Sequence, residues 1–226
     1  MEMTRAQLAS YIDHTLLHPD AVEEDIRRIC REAGSYRFAS VCIHPIWVSL
    51  CAELLEGTGV QVCTVVGFPL GAMKSQSKAF EAALAVSEGA GEIDMVLPVG
   101  LLKEGRIDLV KRDIAAVREA CPDAVLKVII EACLLSDEQK VQACRASAEA
   151  SADFVKTSTG FSRGGALLED VRLMRQTVGE ALGVKAAGGV RTLEDALQFI
   201  RAGATRLGSS AGVSLMEGAA GSKGEY

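Results

Sequence analysis

Aromatic residues are scarce, at 4% of 226 positions with Trp47 the single tryptophan, which argues against a surface built to stack nucleic-acid bases. Positive charge is not in excess either. Lysine and arginine number 24 against 30 aspartate and glutamate, a net charge of −6, so the footprint expected for nucleic-acid or anionic-membrane partners is missing. No apolar run approaches the roughly 20 residues of a membrane span, and the opening Met1-Glu2-Met3-Thr4-Arg5 has no basic stretch leading into an apolar core, so no signal peptide is expected. The 7 cysteines include no C-x-x-C pair, their count is odd, and most sit in apolar stretches. That pattern predicts reduced thiols and a cytoplasmic protein. His14, His18 and His44 do not have metal-ligand spacing, and the G-x-G-x-x-G fingerprint of a dinucleotide fold is absent. Neither a metal nor a cofactor is implied.

What is present is an ordinary globular composition, 49% hydrophobic and 24% charged, enough to build a core and unlike a disordered chain. Short runs rich in Val, Ile and Cys read as strands at 38–44, 61–67, 92–98, 125–131, 154–158, 184–188 and 205–209, with a weaker eighth near 11–16. Helical spacing fills the gaps, as in Val22-Ile26-Ile29, Val110-Ile114-Val117 and Val171-Met174-Val178. Asp20-x-x-Glu23 and Ser136-x-x-Gln139 read as capping boxes, Gly34 as the glycine closing its helix, and Thr192 as the N-cap of 193–201. Strands alternating with helices pair in parallel through crossovers. Eight such units without a dinucleotide motif favour a closed (β/α)8 TIM barrel over an open doubly wound sheet. The expectation is one domain over 1–226, with an extra helix at 3–11 and a flexible tail at 218–226.

Function in such a barrel belongs at the C-terminal ends of the strands. Lys127, Lys156 and Lys185 are evenly spaced, one per strand–helix unit on three consecutive strands. With neighbouring strands about 4.8 Å apart, ammonium groups at one level repel, and the middle one, Lys156, is expected to give up its proton and act as a nucleophile on a carbonyl. Asp94 interrupts Ile93, Met95 and Leu97, so alternation points it the other way, towards the lysines, where it can move protons. Glu131 shares the parity of Lys127 and reads as a structural partner. Asp13 and His44 lie near strand ends, and Cys42 precedes His44 on the same face. Glycine-rich turns follow the last three strands. They include Gly160, the pair Gly188-Gly189, and Gly208-Ser209-Ser210, whose backbone amides suit a phosphate.

Several of these stretches match a known pattern. F-V-K-T-S-T-G at 154–160, E-I-D-M-V-L-P at 92–98 and V-K-A-A-G-G-V-R-T at 184–192 resemble signatures of the deoxyribose-phosphate aldolase family. So do Y-I-D-H-T-L at 11–16, V-C-I-H-P at 41–45 and G-S-S at 208–210. The resemblance runs in order from about residue 10 to 213. It implies a metal-independent class I aldolase, a lyase that reversibly cleaves 2-deoxy-D-ribose 5-phosphate to D-glyceraldehyde 3-phosphate and acetaldehyde in deoxyribose phosphate and deoxyribonucleotide catabolism. By the same resemblance Lys156 forms the Schiff base, Lys185 tunes it and shares in proton transfer, and Asp94 joins the relay with water. Gly160, Gly188, Gly189, Gly208, Ser209 and Ser210 hold phosphate, Asp13, Cys42, Lys127 and Thr159 line the pocket, and a terminal tyrosine, here Tyr226, reaches the site. Where some members carry a phosphate-binding lysine after T-S-T-G, this chain has Phe161, with Arg163 close by. Homodimers or homotetramers are implied as well. The lysine pattern alone leaves open a transaldolase, a ketose-phosphate aldolase, or a catalytically silent phosphate-binding barrel.

Overall fold

In a computed structural model, which describes residues 3–218, eight parallel strands close on one another in sequence order. They are β1 (Ile12–Leu16), β2 (Ser40–Ile43), β3 (Gln61–Val66), β4 (Glu92–Val96), β5 (Val125–Ile129), β6 (Phe154–Lys156), β7 (Gly183–Ala187) and β8 (Arg206–Ser209). The helices are α1 (Arg5–Ala9), α2 (Glu23–Tyr36), α3 (Val48–Leu55), α4 (Ser75–Ser87), α5 (Val99–Lys103), α6 (Ile107–Ala120), α7 (Asp137–Glu149), α8 (Leu168–Val178), α9 (Leu193–Arg201) and α10 (Gly212–Glu217). This is the (β/α)8 barrel that the alternation of elements predicts.

Strand alternation divides the side chains between two environments. On β4 and β5, Ile93, Met95, Leu126 and Val128 face outward into the core between strands and helices. That core also takes the helix stripes Val110-Ile114-Val117 and Val171-Met174-Val178. Truncating a residue such as Met174 to alanine there costs about 2–5 kcal/mol. The opposite faces of the same strands carry Asp94 and Lys127, both fully buried inside the barrel. Between α4 and α6 a buried ion pair joins Lys78 Nζ to Asp113 at 2.7 Å, and the same ammonium donates to the Val96 carbonyl at 2.8 Å. This pins the C-terminal end of β4, just beyond Asp94, to both helices.

Helix ends agree with the sequence in part. Ser136 caps α7 and Thr192 caps α9, each in a reciprocal box, with Gln139 and Asp195. The box expected at Asp20 lies elsewhere: α2 starts at Glu23, and the Asp25 carboxylate accepts from the Val22 N–H at 3.2 Å. Gly34 does not end that helix. It runs on to Tyr36 and closes through Arg37 at φ 56°, because Phe38, which is buried, must turn in to bond its N–H to the Ala33 carbonyl. The extra N-terminal helix is shorter than 3–11, being Arg5–Ala9 capped by Thr4. Of the tail at 218–226, Gly218 alone is described, as the left-handed cap of α10; Tyr226 lies outside the described residues.

Candidate active site

Inside the barrel, charged residues from six strands meet. Asp94 on β4 receives three ammonium groups. Its Oδ1 lies 2.8 Å from Lys127 Nζ, and its Oδ2 lies 2.7 Å from both Lys156 and Lys185. Lys127 also pairs with Glu92 at 2.6 Å and approaches Asp13 at 3.9 Å. Lys185 pairs with Asp13 at 2.5 Å. Arg206 on β8 spans Asp13 at 2.7 Å and Glu92 at 3.0 Å. Three carboxylates thus face four cations.

The lysines do not share one level, and this corrects the sequence reading. Lys156 and Lys185 are register partners, but Lys156 stands opposite Ile129, two residues beyond Lys127. The stagger of the barrel strands puts Lys127 deeper. There it is surrounded by carboxylates, whereas Lys156 has a single carboxylate within ion-pairing distance among the described residues. All three lysines are buried, with Lys156 at 2% exposure and Lys127 and Lys185 at 0%.

The pairing shows in the proton affinities. Burial alone would raise Asp94, but Lys127, Lys156 and Lys185 hold its carboxyl well below the usual carboxylate range. Asp13 is lowered in the same way, against burial, by Lys185, Lys127 and Arg206. Burial would lower Lys127 and Lys185. Asp94 and Glu92 instead raise Lys127 well above its ordinary value, and Asp13 with Asp94 raises Lys185. These two ammonium groups stay charged beside Lys156.

Next to Asp94 the interior turns apolar. Leu17, Cys42, Cys63, Val65 and Phe68 pack together, with Cys63 Sγ 3.2 Å from Asp94 Oδ1. This wall suits a short carbon chain. Cys42, Cys63 and Asp94 bring ligand atoms within 4.8 Å of one another, as do Asp13, Cys63 and Glu92. Their carboxylates are already engaged by ammonium groups, and that positive surrounding opposes a bound cation.

Glu131 departs from its expected place. β5 ends at Ile129, and Glu131 takes a left-handed conformation at φ 53°, so its carboxylate bonds Thr159 and no lysine directly, while staying within electrostatic reach of Lys156. Beyond β6 and β7, Gly160, Phe161, Ser162, Arg163, Gly164, Gly165, Gly188, Gly189 and Arg191 line a cavity of about 520 Å³. Gly165 and Gly188 touch through their backbones: a Cβ on Gly165 would lie 2.3 Å from the Gly188 carbonyl oxygen. Phe161, directly after T-S-T-G, packs edge-on against Phe68 with ring centroids 5.2 Å apart.

The other candidates do not line this cavity. Gly208 makes room for Lys185, whose Cε would be 3.2 Å from an added Cβ. The Ser209 hydroxyl donates to the Val190 carbonyl at 2.6 Å and accepts from the Ala211 N–H at 3.0 Å, which ties β8 to the turn after β7. Ser210, directly after β8, is exposed. His44 bonds the Leu17 carbonyl at 2.9 Å. Sequence reasoning missed Glu92, Arg206, Cys63 and Arg191. Glu92 was legible, since it shares the parity of Asp94 on β4; the long reach of Arg206 across the barrel floor had no local signal.

Comparison with known proteins identifies the family and the fold. The profile of the DeoC/LacD family aldolases matches residues 7–218. A deoxyribose-phosphate aldolase of Streptococcus mutans is 60% identical over 212 residues, 94% of this chain and 96% of that protein. That of Streptococcus uberis is 59% identical over 220 residues, 97% of this chain and 100% of that protein. Among solved structures, the tetrameric deoxyribose phosphate aldolase of Aeropyrum pernix superposes with a TM-score of 0.89 at 36% identity, over 95% of this chain and 91% of that one.

Proposed function

The chain belongs to the DeoC/LacD aldolase family, and from that premise we propose that it reversibly cleaves 2-deoxy-D-ribose 5-phosphate to D-glyceraldehyde 3-phosphate and acetaldehyde through a Schiff base on Lys156. The observation that carries this is the sharing of one oxygen, Asp94 Oδ2, by Lys156 and Lys185 at 2.7 Å each. A nucleophilic amine, a proton acceptor and a fixed positive charge are thereby in mutual reach.

The chemistry follows from that placement. With Lys156 as the neutral amine, three cations face three carboxylates, so the cluster is charge-balanced in its nucleophilic form. The neutral Lys156 amine adds to the C1 aldehyde of the open-chain sugar, and loss of water gives a protonated imine. The imine draws electrons from the C2–C3 bond. Asp94, with a water, takes the proton of the 3-hydroxyl as that bond breaks, and glyceraldehyde 3-phosphate leaves. The enamine left behind is protonated at C2 from the Asp94–Lys185 pair, and hydrolysis frees acetaldehyde and regenerates the lysine. Lys185 is held protonated through its pairs with Asp13 and Asp94, so it does not form the imine itself, and a proton it passes towards C2 is replaced by the one Asp94 takes from the 3-hydroxyl. The apolar wall at Cys42 and Cys63 accommodates the two-carbon end. Gly160, Gly188, Gly189, Arg163 and Arg191 around the outer cavity take the phosphate, together with Ser209 and Ser210 at the end of β8, with Thr159 and Lys127 holding the site in shape.

A single domain over 1–226, a reducing cytoplasm and a homo-oligomer complete the proposal. All seven cysteines are free thiols. Phe80 and Leu84, one turn apart on α4, are 72% and 48% exposed, and the Aeropyrum relative is described as tetrameric. Purified protein should cleave 2-deoxyribose 5-phosphate in an assay coupled to acetaldehyde reduction, and Lys156→Met should abolish it. Turnover of fructose phosphates alone, or sugar-phosphate binding without turnover, contradicts the reading.

A further inference from the structure

The turn after β5 grips the loop after β6 at two points. Glu131, 3% exposed, accepts the Thr159 N–H at 3.2 Å and the Thr159 hydroxyl. That hydroxyl oxygen in turn accepts the Phe161 N–H at 3.0 Å. Two residues on, the Cys133 carbonyl accepts Arg163 through Nε at 3.1 Å and Nη2 at 2.9 Å. The backbones are stitched below this, with Ile130 N–H to the Lys156 carbonyl at 2.9 Å and Ala132 N–H to the Thr157 carbonyl at 2.8 Å.

The gripped loop is the cavity wall that carries Gly160, Phe161, Ser162 and Arg163. Glu131 reaches it by adopting a left-handed conformation at φ 53° and ψ 60°, an unfavourable choice for a residue with a side chain. Burial also pushes its carboxyl above the ordinary range, against the lowering effect of the Thr159 bonds and of the Lys156 charge. An asparagine or glycine would sit there with less strain, so the position sustains two costs to deliver a carboxylate to Thr159.

We propose that Glu131 is a positioning residue that sets the affinity of the outer cavity for the phosphate end of the substrate, by fixing Thr159 to Arg163 against the β5 turn. The inference rests on the aldolase reading. None of these side-chain bonds touches the Lys156–Asp94–Lys185 cluster, and Glu131 reaches Lys156 through space alone, so the clamp acts chiefly on phosphate recognition and shows in KM rather than kcat.

Steady-state cleavage of 2-deoxyribose 5-phosphate and of unphosphorylated 2-deoxyribose tests this. Glu131→Ala should raise KM for the phosphorylated substrate about tenfold, the scale of a lost charge-assisted bond, with a much smaller change in kcat. Its kcat/KM for 2-deoxyribose should stay within about twofold of wild type. Thr159→Val should raise the same KM, and the double variant should be no worse than the more affected single one. Glu131→Gln keeps an acceptor for the Thr159 N–H and should recover most of the affinity. Circular dichroism and urea midpoints show whether each variant folds; the Gln and Val variants carry the test if the Ala variant does not. Equal losses on both substrates, additive single effects, or an unchanged KM in an active enzyme overturn the inference alone. A wild type inactive on 2-deoxyribose 5-phosphate overturns the aldolase reading and the inference with it.

Discussion

Neutralising Asp94 should destabilise this protein more than removing any one of the lysines around it. Asp94 is fully buried and answers three ammonium groups at 2.7–2.8 Å. Asp94→Asn keeps the shape but leaves two carboxylates against four cations in the barrel. Breaking a buried pair by removing one partner costs about 3–5 kcal/mol. In a domain of this size each kcal/mol moves Tm by roughly 2–4 °C, so the expected drop is roughly 6–20 °C. Lys127→Met goes the other way in charge and leaves three against three. Glu92 keeps Arg206, and Asp94 keeps Lys156 and Lys185, while the flexible methionine fills the space of the lysine stem. Its cost should be about 1–2 kcal/mol, below the range for a stranded charge because no anion is left unpaired. Urea unfolding followed by circular dichroism near neutral pH measures both. A Lys127→Met variant as unstable as Asp94→Asn, or more so, refutes the charge accounting on which the mechanism depends.

Two further outcomes follow from the same coordinates. Asp13 and Asp94 titrate lower in the folded protein than in the unfolded chain, where carboxyls protonate near about 3.9. Their contribution is therefore complete well above that value and is lost as pH falls through it towards the folded values. Urea midpoints measured from neutral to acid pH should fall below about pH 4, with a shallower fall in Asp94→Asn; parallel curves would contradict the assignment. Gly165→Ala would put a Cβ 2.3 Å from the Gly188 carbonyl oxygen, a backbone atom that cannot swing aside. It should cost about 1–3 kcal/mol and raise KM for phosphorylated substrate, and a variant matching wild type in both would remove the case for that tight turn.

Much of this was legible because the periodicities are clean. The alternation of Ile93, Met95 and Leu97 around Asp94 and of Leu126 and Val128 around Lys127 assigns both charges to the barrel interior, and the structure places them there. The strands read at 92–98 and 125–131 end two residues earlier, at Val96 and Ile129, although Leu97 and Ile130 still donate one bond each to the neighbouring strand. The level of Lys127 was not legible. It depends on the stagger between β5 and β6, which no local pattern records. Glu131 was misplaced for a related reason: parity holds only while a strand lasts, and a left-handed residue directly after Ile130 redirects the side chain. Gly34 drew attention as a helix end, yet the requirement to bury Phe38 placed the turn at Arg37 instead.

The central claim is that Lys156, and not its two buried neighbours, forms the imine. Incubating the protein with acetaldehyde, reducing with borohydride and mapping the modified peptide by mass spectrometry tests it directly. A reduced two-carbon adduct on Lys156 is the predicted result. An adduct on Lys127 or Lys185, or none on folded protein that still binds sugar phosphate, contradicts it.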